Sequence, residues 1–126
     1  MSIVEVQLED LVREYPSTRV EPRPDGTTLI TVPEVPLAPG WNQSHTTIQF
    51  LTPVGFPMAQ PDCFWTDEEL RLAGGGLPKN TAIHNPPAFG GGPKLWFSWH
   101  VSVWNGSRDS LKSYISVILN RLTRAE

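Results

Sequence analysis

The chain has 126 residues, 39% of them apolar and 18% charged, and carries a formal net charge of −3. That is the length of one ordinary domain, too apolar for intrinsic disorder. Lys and Arg never stand side by side, which excludes the clustered positive charge of a nucleic-acid or anionic-membrane surface.

Ser2 and Glu5 have the spacing of a capping box. Val4, Leu8, Leu11, Val12 and Tyr15 then recur at helical spacing. Together they predict an amphipathic helix over residues 3–14, ended by Pro16. Its exposed face would carry Glu5, Gln7, Glu9, Asp10, Arg13 and Glu14. The acids set into the apolar pattern rule out a signal peptide.

Pro24-Asp25-Gly26 is a turn signal. Residues 27–32 and 45–51 are rich in β-branched side chains, as strands are, and "PLAPGWNQS" between them reads as a loop. Residues 17–65 thus predict a meander of three or four antiparallel strands, with Cys63-Phe64-Trp65 as the last. Residues 66–94 change character. They hold two Gly triplets and four prolines and read as a long irregular segment, a flap. Neither triplet is followed by Gly-Lys-Ser/Thr, so neither is a phosphate loop, and no cofactor is expected.

After the aromatic "LWFSWHVSVWNG" comes a second helix within "SRDSLKSYISVILNRLTRAE". Ser107 is its expected N-cap and Asp109 stands in its first turn. Leu111, Tyr114, Ile115, Ile118, Leu119 and Leu122 form its apolar face. Arg121 and Arg124 fall in its last turn, where cations are favoured. The order of helix, meander, irregular segment and helix predicts an α+β layer in one domain, 1–126. No window approaches the ~18 apolar residues of a membrane span, and one cysteine allows no internal disulfide. The expectation is a cytoplasmic protein that binds neither nucleic acid nor membrane.

This order, with "TTIQFLTPVGFPMAQPDCFWT" running into a proline-bounded hook and "VWNGSRDSLKSYISVIL" placing a Trp before the last helix, resembles the ubiquitin-conjugating (UBC-like) superfamily. The pairing of Pro-Asp-x-Phe-Trp with Trp-x-x-Trp-His is closest to its prokaryotic family E. The resemblance implies a UBC-like fold and two partners, a ubiquitin-like protein and its activating enzyme. It also implies that the first helix docks that enzyme.

The resemblance further implies a His-Pro-Asn tripeptide followed by a thiol that carries the ubiquitin-like tail as a thioester. Here the tripeptide's place holds His84-Asn85-Pro86-Pro87, and the thiol's place, "WFSWHVSVW", holds no cysteine. Asn85 would then be the oxyanion donor, or only a turn residue before proline. His100 with Ser98 two residues earlier could hold an acyl group as an oxyester, the imidazole acting as base. Alternatively, His100 only hydrogen-bonds backbone. Cys63 is the alternative nucleophile. Between Asp62 and two aromatic residues it fits a packed thiol better than a reactive one. The spacing of His45, His84 and His100 matches no zinc pattern, so no metal is expected. A chain without a working nucleophile would be an adaptor that binds a ubiquitin-like protein or its activating enzyme.

Overall fold

The computed structural model describes residues 3–85, 92–99, 101 and 103–126. Its elements run α1 (Ile3–Glu14), β1 (Arg19–Pro22), β2 (Thr28–Pro36), β3 (His45–Thr52), β4 (Phe64–Thr66), β5 (Thr81–His84), β6 (Lys94–Phe97) and α2 (Leu111–Leu122). The strands form one antiparallel sheet in the order β1-β2-β3-β4-β6-β5. The α+β class stands, as do both helices. The strand count is corrected: among the described residues the sheet has six strands, the extra two being β5, inside the segment expected to be irregular, and β6, which starts at that segment's last residue and runs into the aromatic block. β5 and β6 are only four residues each. They sit among Gly and Pro, so no strand-length pattern marks them. They pair with each other from Thr81↔Phe97 to His84↔Lys94, and β6 then pairs with β4. A tertiary partner, not local propensity, makes them strands.

β2 shows how the core selects geometry. Val32 and Val35 are both buried but stand three residues apart, and a regular strand would send them to opposite faces. A register shift between them absorbs the extra residue. Glu34 adopts φ 57° there, and both valines reach the core. Ile30, Ile48, Phe50, Phe64 and Phe97 extend that core beneath Leu11 of α1 and Leu111, Tyr114, Ile115 and Ile118 of α2. The Phe50 and Tyr114 rings meet edge-on at 5.2 Å, and Phe64 stacks on Phe97 at 4.5 Å. Each such pair adds about 1 kcal/mol to the area it buries.

The helices depart from expectation in detail. Val12 is exposed. Gln7 does not face solvent alone: its Oε1 accepts the Leu111 N–H at 2.8 Å, satisfying an orphan donor of α2. Lys112 pairs with Glu14 at 2.9 Å across the same junction. The N-cap of α2 is Ser110, not Ser107. Its hydroxyl accepts from Ser113 N while Ser113 Oγ accepts from Ser110 N, a capping box. The reason is that residues 105–109 close a turn of their own. Asp109 accepts the Asn105 N–H at 2.8 Å, and Asp109 N donates back to the Asn105 carbonyl at 2.7 Å. The capping box at Ser2 lies outside the described residues.

The far end of α2 is locked. Arg121, in the last turn as expected, is only 2% exposed. Its guanidinium donates to the carbonyls of Arg124 (2.8 Å), Glu126 (2.8 Å) and Lys79 (3.1 Å), and lies 5.3 Å over the Phe97 ring and 5.4 Å over Trp99. Burial, and then the neighbouring Arg124, push its pKa down, but a guanidinium keeps its charge. Trp41 Nε1 donates to the Leu122 carbonyl at 2.8 Å. Among the described residues, no helix is long and apolar enough to cross a membrane. Arg121→Met is expected to lower the unfolding free energy by about 3 kcal/mol, because three hydrogen bonds from a buried charged group are lost. Arg121→Lys should recover less than half of that, since one ammonium cannot span three carbonyls. Urea unfolding of both variants checks this.

Candidate functional site

Two segments far apart in sequence build the candidate site. The first is the hook, residues 53–61. Phe56 N donates to the Pro53 carbonyl, and Met58 N and Ala59 N both donate to the Gly55 carbonyl. Gly55 takes φ 92°, which glycine allows without strain, and the Phe56–Pro57 peptide is cis. The second segment, Val101 with residues 103–106, is laid against the hook. Trp104 Nε1 donates to the Pro57 carbonyl at 2.7 Å, and its ring lies 6.1 Å from that of Phe56. Val101 N donates to Gln60 Oε1 and Gln60 Nε2 donates to the Val101 carbonyl, both at 2.9 Å. The approach is closest at Gly106, where an added Cβ would stand 2.6 Å from the Pro57 oxygen and 2.8 Å from Met58 Cα. Only glycine fits there.

Ser98 and Cys63 share one strand end. The β4–β6 register pairs Phe64 with Phe97 and Trp65 with Trp96, so Cys63 and Ser98 are the next facing positions. Ser98 is exposed, and its N–H donates to the Asn80 carbonyl at 2.9 Å. Asn80 holds φ 62°, a left-handed conformation that Asn tolerates better than most residues. Cys63 is half-buried. Burial pushes its thiol pKa up and Asp62 adds to the rise, while a contact with Trp96 opposes it. Tyr114 Oη donates to the Trp99 carbonyl at 3.2 Å. Its pKa is also raised, by burial first and then by Cys63 and Asp62.

On the sheet beside them, Trp65 Nε1 donates to His84 Nδ1 at 3.2 Å. The His84 ring lies 6.2 Å from that of Trp65 and 6.0 Å from that of Trp96. His84 is therefore an exposed histidine oriented by two tryptophans. Asn85, also exposed, follows at the end of β5. His100 lies outside the described residues, as do Pro86 and Pro87. A cleft of about 260 Å³, lined by Trp99, Ser116, Val117 and Asn120, opens next to Ser98 in the chain. Another, of about 460 Å³, is lined by Leu8, Glu9, Val12, Arg13 and Val20 and so touches none of the candidates.

The structure thus brings Ser98 and Cys63 to one strand end but sets Asn85 at the opposite end of the β5–β6 pair, since Ser98 lies beside Asn80 while His84 pairs with Lys94. Sequence reasoning missed Gln60, Asn80 and Gly106. Asn105-Gly106 carried a turn signal; a lone Gln in a proline-rich hook carried none. An exposed hydroxyl on a braced backbone can present a nucleophile, provided a base takes its proton. A half-buried thiol held in its acid form is poorer at neutral pH.

A model of the family described as Prokaryotic E2 family E matches residues 11–125. No curated protein and no solved structure matches the chain.

Because burial and Asp62 favour the protonated thiol, Cys63 should be alkylated by iodoacetamide more slowly at neutral pH than an unhindered peptide thiol. Its rate should climb to a midpoint above the ordinary value of about 8.5. Intact mass against time across a pH series reads this out.

Proposed function

We propose, on the premise that the chain belongs to prokaryotic E2 family E, that it accepts a ubiquitin-like protein from an activating enzyme and passes it to an amine. Ser98 is the acceptor in this reading. The observation that carries it is an exposed hydroxyl, braced by the Asn80 carbonyl, on the segment where the family resemblance calls for a thiol.

The chemistry balances as two acyl transfers. The Ser98 oxygen attacks the thioester carbonyl of the tail held by the activating enzyme. A C–O bond forms, the C–S bond breaks, and the hydroxyl proton passes by way of the His100 imidazole to the leaving thiolate. A substrate amine then attacks the oxyester. A C–N bond forms, the C–O bond breaks, and a proton lost by the amine returns to Ser98.

A second reading, an adaptor that binds a ubiquitin-like protein or its activating enzyme without carrying it, draws on one observation. The chain's single cysteine is half-buried with its pKa raised.

Mixing the protein with an activating enzyme, a ubiquitin-like protein and ATP should give a covalent adduct by intact mass. The adduct should be lost in Ser98→Ala, weakened in His100→Ala and kept in Cys63→Ala. It should survive a thiol reductant and be cleaved by mild alkali. An adduct lost only in Cys63→Ala and labile to reductant would move the carrier to Cys63. Association without any adduct would establish the adaptor.

A further inference from the structure

Val101 lies beyond the reach of the sheet. β6 ends at Phe97 and β4 does not begin until Phe64, so no strand can take up its backbone groups. The Gln60 carboxamide does so instead: Oε1 accepts from Val101 N and Nε2 donates to the Val101 carbonyl, each at 2.9 Å. One planar amide bonded to both polar groups of a single residue fixes the orientation of that residue's backbone, because neither group can turn away without breaking its bond. A half-buried backbone pair left without partners would cost free energy comparable to the lost bonds.

The position matters because of what it flanks. Ser98 is tied at its N–H to the Asn80 carbonyl at 2.9 Å. Val101, three residues on, is tied to Gln60. Ser98 and Val101 are therefore each anchored, one to the residue before β5 and the other to the hook. The second anchor is itself rigid, since the hook behind Gln60 is held by the Trp104–Pro57 hydrogen bond and the close approach of Gly106.

We infer that Gln60 is a positioning residue for acyl transfer: its carboxamide, acting as a substitute strand partner for Val101, fixes the backbone three residues beyond Ser98 and so steadies the presentation of the Ser98 hydroxyl. This rests on the reading of Ser98 as the acceptor. Gln60 touches no reacting atom and acts through the backbone it clamps. No other side chain replaces it. Asn is a methylene too short, Leu offers no polar group, and Glu keeps the acceptor while setting a carboxylate against the Val101 carbonyl.

The test uses the full chain and an activating enzyme already charged with a ubiquitin-like protein, followed in single turnover. With Gln60→Leu, adduct formation at saturating charged enzyme should slow by at least about tenfold, as small misplacements near a reacting atom do. The half-saturating concentration should stay within about twofold, because docking does not involve the clamp. Gln60→Glu should fall between the two proteins. Amide exchange at Val101 should quicken in the Leu variant while thermal unfolding stays cooperative, which shows that the clamp and not the fold was lost. An unchanged rate despite lost protection at Val101 overturns the inference. So does a loss of rate that merely tracks the loss of thermal stability across both variants. Wild-type protein that forms no adduct sinks the reading of Ser98 itself, and that outcome is visible before any variant is compared.

Discussion

A single guanidinium gathers four pieces of chain. Arg121 comes from the last turn of α2. It bonds the carbonyl of Lys79 just before β5 and those of Arg124 and Glu126 after the helix, and it lies over Phe97 and Trp99 at the end of β6. A buried charge is tolerated only when its donors are matched, so each of these partners must be in place together. β5 and β6 are too short and too exposed at their outer edge to persist as an isolated pair. Their attachment to the helix end, with β4 on the other side, gives them a fixed place. Through Trp99 the same contact reaches the stretch that holds Ser98.

The candidate site inherits its geometry from two independent braces. One is this helix-end cluster, which sets Trp99. The other is the hook, which sets Val101 through Gln60 and Trp104 through the Pro57 carbonyl. Family membership points to a role in ubiquitin-like conjugation. The braces supply a mechanical reason why a hydroxyl there could be held ready for it. Cys63, across the same strand end, is placed by packing against aromatic neighbours, and its raised pKa fits that role.

What the sequence made legible, and what it hid, follows from the range of the forces involved. Both helices were readable because their apolar positions recur at one period and their ends carry proline or serine. The long strands were marked by their runs of β-branched side chains. The short strands β5 and β6 were hidden because their pairing is non-local. The cap of α2 was misplaced because Ser107 and Ser110 are chemically alike, and only the turn closed by Asn105 and Asp109 decides between them. Arg121 looked like an ordinary helix-end cation, since nothing local says that carbonyls from three directions converge on it. For the site, the candidate residue types were legible. Their relation was not: the facing of Cys63 and Ser98 is a matter of register, and Gln60 acts over 41 positions.

The strand order also has a bearing on how copies of this chain meet. The nine-residue β2 and eight-residue β3 are interior, while both margins of the sheet are four-residue strands. β1 adds Arg19 and Glu21, both exposed, and a terminal Pro22 that has no N–H to offer. Long unpaired margins are where β proteins zip together and precipitate. By keeping its best ribbon-formers sandwiched and its borders clipped, this sheet offers little backbone for a second sheet to grow on.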